Sequence, residues 1–359
     1  MKGTLMKSWV LHDIGRCTLE EVTAPVPKPG EVLVAVKAAG ICGSDIPRIF
    51  KTGAHNMPLI PGHEFSGQVA TLGDGVNRKW IGKRVGVFPL IPCGKCRPCM
   101  ERKFEMCKSY SYLGSRRDGA FAQYVAVPKW NLLELPENVA YEEAAMLEPM
   151  SVAVHAIRRV TPGIHDTVVV CGLGTIGQLI VMFLVEQGVK NILVIGNKEF
   201  QKQSILKLGI KEENYCDSRS TDVDSWIMEH TQGYGANVFF ECVGNNTTVR
   251  QAVALVAPAG RICMVGNPAS DMSFDRDTYW KILRHQLIVT GTWNSTYFGE
   301  DSEDCRDDDW HYVLERLQNG SIKPARLISH RYGIDELDEG FHIMRDKTED
   351  YIKIMMSID

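Results

Sequence analysis

Two hydrophobic textures divide the chain. Through about residue 150, short apolar runs are broken by turn residues roughly every ten positions. "EVLVAVKAAG" (31–40) alternates apolar and polar residues, and "GQVATLGDGV" (67–76) carries a Gly-Asp-Gly turn. "GKRVGVFP" (82–89) and "GAFAQYVAVP" (119–128) continue the pattern. Period-two segments between such turns predict an antiparallel β-barrel or sandwich. Beyond 150 the period changes. "DTVVVCG" (166–172) is a continuous β-branched run, expected of a strand buried on both faces. The apolar helix "GTIGQLIVMFLVEQG" (174–188) follows it. Further strand-like runs, "NILVIG" (191–196), "NYCD" (214–217), "ANVFFECVG" (236–244), "RICMVG" (261–266) and "QLIVTGTW" (286–293), are separated by helical segments. Strands alternating with helices predict a doubly wound parallel sheet, so the fold class is α/β with a β-rich partner domain. The predicted boundaries are 1–155, 156–293 and 294–359. The last stretch opens on acidic "GEDSEDCRDDDW" (299–310), expected to be a solvated loop and a helix start.

Composition narrows the classes. A chain of 359 residues suggests two domains, and 44% hydrophobic with 23% charged residues is ordinary globular usage. A net charge of -4 offers no basic field, which argues against nucleic acid as a partner. The longest apolar run, "LIVMFLV" (179–185), is far short of the roughly 18 residues that suggest a membrane span. The N-terminal "MKGTLMKSWVLHD" lacks an apolar signal region, so a cytoplasmic location is expected.

Cys93, Cys96, Cys99 and Cys107 crowd into "PCGKCRPCMERKFEMC" (92–107), out of eleven cysteines in the chain. A disulfide staple or redox motif competes with a metal site. In a reducing compartment, two successive C-x2-C gaps and a short return favour four thiolates around structural Zn2+. A closed four-sulfur shell leaves no position for substrate, so the chemistry is expected elsewhere.

The strand ending at Cys171 runs into Gly172-Leu173-Gly174-Thr175-Ile176-Gly177, a G-x-G-x-x-G turn that opens a helix. That context marks a dinucleotide site: a tight turn, backbone access to the pyrophosphate, and close helix–strand packing. Val243, Val265 and Gly266, at the ends of later strands, extend the expected cofactor set. NAD-preferring versions place a carboxylate about 20 residues on, bonded to the ribose hydroxyls. Here the chain reads Gly196-Asn197-Lys198. Gly196 is expected to leave room for a 2′-phosphate, with Asn197, Lys198 and Lys202 contacting it. The alternative is that both lysines are solvated helix residues. NADP(H) is therefore the favoured cofactor and NAD(H) the alternative.

"CGSD" (42–45) and "GHEFSG" (62–67), with the cysteine lobe, "LEP" (147–149) and the glycine fingerprint, resemble the zinc-containing medium-chain dehydrogenase/reductase family over essentially the whole chain. The resemblance implies a GroES-like β-barrel catalytic domain, an inserted Rossmann domain and a C-terminal return to the barrel. It implies a catalytic Zn2+ on Cys42, His63 and a carboxylate, either Glu64 or Glu148, with a position left for the substrate hydroxyl. Bound there, Zn2+ would act as a Lewis acid on the alcohol. Ser44 matches the family's proton-relay hydroxyl, and Asp45 the carboxylate that orients the histidine. Where some members carry a further relay histidine, this chain has Pro47-Arg48.

Within the family, "CGSDIPRIFKTGAH", "GSRRDGAFAQY", "KILRHQL" and "GTW" are similar to the polyol-phosphate dehydrogenases that act on galactitol 1-phosphate. Arg48, Lys51, His55, Arg116 and Arg117 are candidates to hold a substrate phosphate, since guanidinium forks match phosphate geometry. Trp293 is a further candidate substrate contact. Pentitol phosphates, sorbitol and L-threonine are alternative substrates, and a non-enzymatic nucleotide-binding zinc module is the alternative of another class. Family resemblance suggests a homodimer or homotetramer.

Overall fold

A computed structural model describes residues 3–268 and 270–358. The chain divides into two compact units, Met1–Glu148 with Ser295–Asp359, and Pro149–Asn294. The first junction falls inside the helix Leu147–Val160, earlier than residue 155, because a helical pattern does not mark which unit each of its turns joins.

The strands before the first junction are β1 (Leu5–Asp13), β2 (Arg16–Thr23), β3 (Glu31–Ile41), β4 (Glu64–Leu72), β5 (Arg84–Val87), β6 (Leu90–Ile91), β7 (Ser111–Tyr112), β8 (Tyr124–Pro128) and β9 (Leu132–Glu134). The inserted unit holds β10 (Thr167–Cys171), β11 (Asn191–Gly196), β12 (Tyr215–Asp217), β13 (Ala236–Glu241), β14 (Val256–Met264) and β15 (Ile288–Gly291). The return segment adds β16 (Ile328–Tyr332) and β17 (Lys353–Ser357).

In the first unit the sheet runs β16-β17-β3-β4-β5-β9, with β8 also paired to β3. Strand β3 looks half-polar in sequence, yet only Ala35 and Lys37 escape full burial. Its neighbours β4, β8 and β17 explain this, because a strand at the centre of a curled sheet has little solvent-facing edge. The core around it contains Val34, Val36, Phe65, Trp80, Phe121 and Phe341.

In the second unit all strand pairings are parallel, in the order β12-β11-β10-β13-β14-β15. The order reverses between β10 and β13, where such sheets open a crevice at their carboxyl ends. The helix Thr175–Glu186 is apolar nearly all round, and residues 177–184 are buried against the sheet. Among the described residues no helix is long and apolar enough to cross a membrane.

The acidic run is solvated over its first residues and leads into the helix Asp309–Gln318, but its last two acids depart from the expectation. Asp308 and Asp309 are fully buried. Asp309 accepts the backbone N–H and hydroxyl of Thr296 (2.7 and 2.8 Å), and Asp308 accepts Phe298 N–H at 2.9 Å. Asp304 pairs with Arg102 of the cysteine lobe, and Asp301 with Lys129. Asp308 and Asp309 are anchors, buried because their partners are amides and a hydroxyl that local sequence does not show, whereas Asp301 and Asp304 pair with their cations at the surface.

Candidate functional site

The cysteine lobe is a compact loop without much core of its own. Cys96 caps the short helix Arg97–Met100, and Cys107 follows a 3-10 turn at Phe104–Met106. The sulfurs of Cys96 and Cys99 are 3.4 Å apart, those of Cys96 and Cys107 3.9 Å, and those of Cys93 and Cys99 4.0 Å. Four sulfurs at Zn–S distances of about 2.3 Å stand about 3.8 Å apart in a tetrahedron, so the donor set fits Zn2+. Backbone N–H groups directed at Cys96 lower its thiol pKa to about 6, which favours the thiolate a metal needs.

The second cluster lies at one end of the first unit's sheet. Strand β3 delivers Cys42 just past Ile41, and β4 begins at Glu64, one residue after His63. Antiparallel register sets Gly40 opposite Glu64, and β17 sets Ile354 opposite Ile41. One ligand atom from each of Cys42, His63 and Glu64 lies within 4.8 Å of the others. Thiolate, imidazole and carboxylate are the donors of an open, catalytic type of zinc site.

The neighbours orient these donors. Asp45 accepts the Cys42 backbone N–H at 3.0 Å, and its Oδ1 stands 3.4 Å from His63 Nδ1. With Nδ1 turned to Asp45, Nε2 is left as the ligand nitrogen. Nδ1 is buried without a hydrogen bond, while burial, which alone would lower the His63 pKa, is outweighed by Asp45 and Cys42, which raise it. The Ser44 hydroxyl donates to Cys42 Sγ at 3.3 Å. Arg48 Nη1 donates to Asp45 Oδ1 at 2.5 Å, so this expected phosphate ligand braces the carboxylate that orients the histidine.

The two carboxylates have different partners. Glu64 is paired with Lys353, a lysine only 2% exposed whose ammonium also donates to Ile41 O at 2.9 Å. Gly40 makes room for this pair: a Cβ there would sit 2.4 Å from Glu64 Oε2 and 2.5 Å from Lys353 Cε. Glu148 instead accepts the Tyr112 hydroxyl at 3.1 Å. Burial, reinforced by Glu64 and opposed by His63, pushes its pKa up to about 7. The Tyr112 ring stands edge-on to His63, 5.7 Å between centroids.

The candidate substrate cations scatter. Arg116 lies 4.3 Å over the Tyr110 ring, and Tyr110 in turn stands 6.2 Å from Tyr112. Asn56 reaches the Arg116 carbonyl, which brings the loop of His55 alongside. Lys51 and His55 are exposed. Arg117 turns away, donating to Glu31 at 3.0 Å and Ala126 O at 3.2 Å, and so acts as a brace across β3 and β8. Trp293, in the other unit, is 54% exposed.

In the inserted unit the three fingerprint glycines are distinct. Gly172 has φ +96°, and a Cβ on it would strike Val243 Cγ2 at 2.7 Å. A Cβ on Gly177 would lie 1.9 Å from Gly172 O, whereas Gly174 faces open space and begins the helix Thr175–Glu186. Leu173 is buried, and Thr175 and Ile176 are half-buried in the first turn. At the end of β11, a Cβ on Gly196 would meet Leu173 Cδ1 at 2.9 Å and the Tyr215 hydroxyl at 3.0 Å, so the glycine packs closely on that side of the strand. Asn197 is exposed in the turn, and Lys198 caps the next helix. Lys202 donates to Glu212 at 2.6 Å, a partner that follows it by ten residues and is brought beside it by the turn after the helix.

Sequence reasoning missed three groups. Lys353 had one signal, a lone cation inside apolar "IKIMM"; Tyr112 had none. Glu241 is 1% exposed, and its Oε1 accepts Val243 N–H (2.9 Å), Gly244 N–H (2.9 Å) and the Thr248 hydroxyl (2.7 Å). Its backbone oxygen accepts from Val265 and Gly266 (2.8 and 2.9 Å), so one residue ties together two of the loops expected at the cofactor.

Comparison with known proteins agrees with both halves. Residues 28–137 match the alcohol dehydrogenase GroES-like domain, and residues 175–318 the zinc-binding dehydrogenase domain. Galactitol 1-phosphate 5-dehydrogenase of Escherichia coli K12 is 32% identical over 328 residues, 91% of this chain and 92% of that protein. A crystal structure of galactitol-1-phosphate dehydrogenase from Escherichia coli superposes with TM-score 0.88 at 29% identity, covering 98% and 100% of the two chains. Sorbitol dehydrogenase of Halalkalibacterium halodurans is 30% identical over 351 residues, 96% of this chain and 97% of that protein. The Escherichia coli CFT073 protein RspB, solved with NADH, has TM-score 0.88 at 28% identity, covering 99% and 100%. The chain belongs to the zinc-dependent alcohol and polyol dehydrogenase family, built from a GroES-like domain and a Rossmann domain.

Proposed function

We propose that this dehydrogenase oxidises a secondary alcohol of a polyol phosphate, of the galactitol 1-phosphate type, to the ketose phosphate, passing hydride to NADP+ or NAD+. Arg116 carries the proposal. It is a guanidinium stacked on Tyr110, two rings from the His63 imidazole, and the chain resembles a polyol-phosphate dehydrogenase over nine-tenths of its length.

Cys42, His63 and Glu64 would hold the catalytic Zn2+, and Cys93, Cys96, Cys99 and Cys107 the structural one. When bound, the catalytic ion supplies Lewis acidity that eases loss of the alcohol proton. Asp45 holds His63 in one tautomer, and Arg48 holds Asp45. The Ser44 hydroxyl, beside Cys42 Sγ, is the chain's own group placed to pass the proton outward. Pro47 contributes no imidazole, so the onward route uses a cofactor hydroxyl or solvent.

The expected NADP(H) preference is retained as a proposal, supported by the absence of a carboxylate at Gly196-Asn197-Lys198. A homodimer or homotetramer in the cytoplasm is proposed with it. A panel of polyols and their phosphate esters, assayed with both cofactors, tests the reading. Arg116→Ala is expected to raise KM for the phosphate ester roughly tenfold and to leave that of the free polyol nearly unchanged. Equal catalytic efficiency for sorbitol and its phosphates would overturn the phosphate assignment.

A further inference from the structure

In a doubly wound sheet of this order, the adenosine ribose is read at the carboxyl end of the second strand, here β11 at Gly196. The sequence has no acid there. The sheet supplies one from the next strand: register pairs Gly196 with Asp217, the last residue of β12. The chain then folds over the end of β11, with Ser218 donating to Gly196 O from its backbone N–H (2.9 Å) and its hydroxyl (3.2 Å). That turn presents Arg219. Its Nε donates to Asp217 Oδ1 at 3.0 Å and its Nη2 to Oδ2 at 2.6 Å, a two-pronged pair, and its backbone N–H also donates to Oδ1 at 3.0 Å. The Arg219 side chain remains 58% exposed and Asp217 27%. Lys202, on the helix after β11, is directed to Glu212.

We propose that the Asp217–Arg219 pair distinguishes a 2′-hydroxyl from a 2′-phosphate on the cofactor's adenosine ribose. The proposal rests on the nicotinamide-cofactor reading above and concerns the same site. Asp217 accepts a hydrogen bond from the hydroxyl and repels a phosphate. Arg219 offers the phosphate a planar donor fork, but only to the extent that it leaves Asp217. Each residue thus restrains the other, and removing either one tips the balance in a known direction. Removing the carboxylate frees the guanidinium, whereas removing the guanidinium bares the carboxylate.

The test is titration calorimetry of the full-length zinc-loaded protein with adenosine 2′,5′-bisphosphate and with adenosine 5′-monophosphate. Asp217→Asn is expected to shift the ratio of the two Kd values roughly tenfold towards the bisphosphate, and Arg219→Ala roughly tenfold the other way, with Arg219→Lys in between. Monophosphate affinity reports that the site itself is intact. A ratio unmoved by both substitutions overturns the proposal, as does a ratio that responds to Lys202→Ala and not to Arg219→Ala. The wild-type ratio alone decides whether NADP is preferred, so that reading and this one fail separately.

Discussion

The ion pair between Glu64 and Lys353 is the residue-scale feature on which the metal cluster leans. Both side chains are 2% exposed, so neither has water to replace its partner. Lys353→Met leaves Glu64 buried and unpaired, which costs about 3–5 kcal/mol in the metal-free protein. The expected result is a lowered denaturant midpoint without metal that zinc loading partly restores, since the ion supplies a cation beside Glu64. An unchanged metal-free midpoint would show that Lys353 does not stabilise Glu64. His311 is a second such residue. Burial alone would lower its pKa, but bonds to Asp308 (2.9 Å) and attraction to Glu300 raise it from 6.5 to about 9. A folded pKa above the unfolded one stabilises fully below about pH 6.5 and is lost as pH rises through about 9. Wild type is therefore expected to lose thermal stability between pH 7 and 10 relative to His311→Gln, by a difference on the order of 3 kcal/mol. Parallel pH profiles for the two proteins would exclude the contribution.

At the scale of elements, loops after strands β10, β13 and β14 are locked by close backbone approach and by Glu241. Gly172 packs on Val243, and a Cβ on Gly266 would lie 2.2 Å from Gly244 N. Glu241→Ala removes the acceptor for Val243, Gly244 and Thr248 together. Losing those bonds frees the loop that must be ordered when cofactor binds, so KM for the cofactor is expected to rise roughly tenfold with kcat within a few-fold. Glu241→Gln keeps an acceptor oxygen and is expected to recover most of the affinity. Equal losses in both variants would mean that the charge, and not the loop geometry, is what matters. The cysteine lobe shows the same logic in another form. It has four sulfurs at zinc spacing, plus Arg102 reaching over Phe298 at 4.7 Å and bonding Ser302 at 2.6 Å. Those side-chain contacts, with the Zn2+ proposed for the four sulfurs, would replace the hydrophobic core that so short a loop lacks.

For the whole molecule, the inserted unit ends its sheet on β15, whose outer edge has no strand partner among the described residues. Ile288 is 56% exposed and Val289 39%, and Leu283 on the preceding helix is 57% exposed. Exposed apolar edges are normally paired or blunted. A second copy meeting this edge antiparallel would satisfy both backbones by two-fold symmetry, which supports the proposed homodimer. Sedimentation velocity is expected to show a dimer at micromolar protein that Ile288→Lys with Val289→Lys shifts towards monomer. A dimer unaffected by both lysines would put the interface elsewhere.

The sequence by itself determined whatever depends on short spacing. Four cysteines within sixteen residues and three glycines at a strand-to-helix turn were legible because metal and nucleotide sites of this kind are built from neighbours on one loop. Cys42, His63, Glu64 and Glu148 became legible only through family resemblance, since β3, β4 and a helix must converge to gather them. Tertiary structure alone decided the partners of each charge. Lys353 reaches Glu64 across 289 positions, Arg117 turns to Glu31 across 86, and Asp217 is set beside Gly196 by strand register. Hydrophobic periodicity says which face of an element is buried, whereas the pairing of a buried charge depends on which elements meet, and at what register.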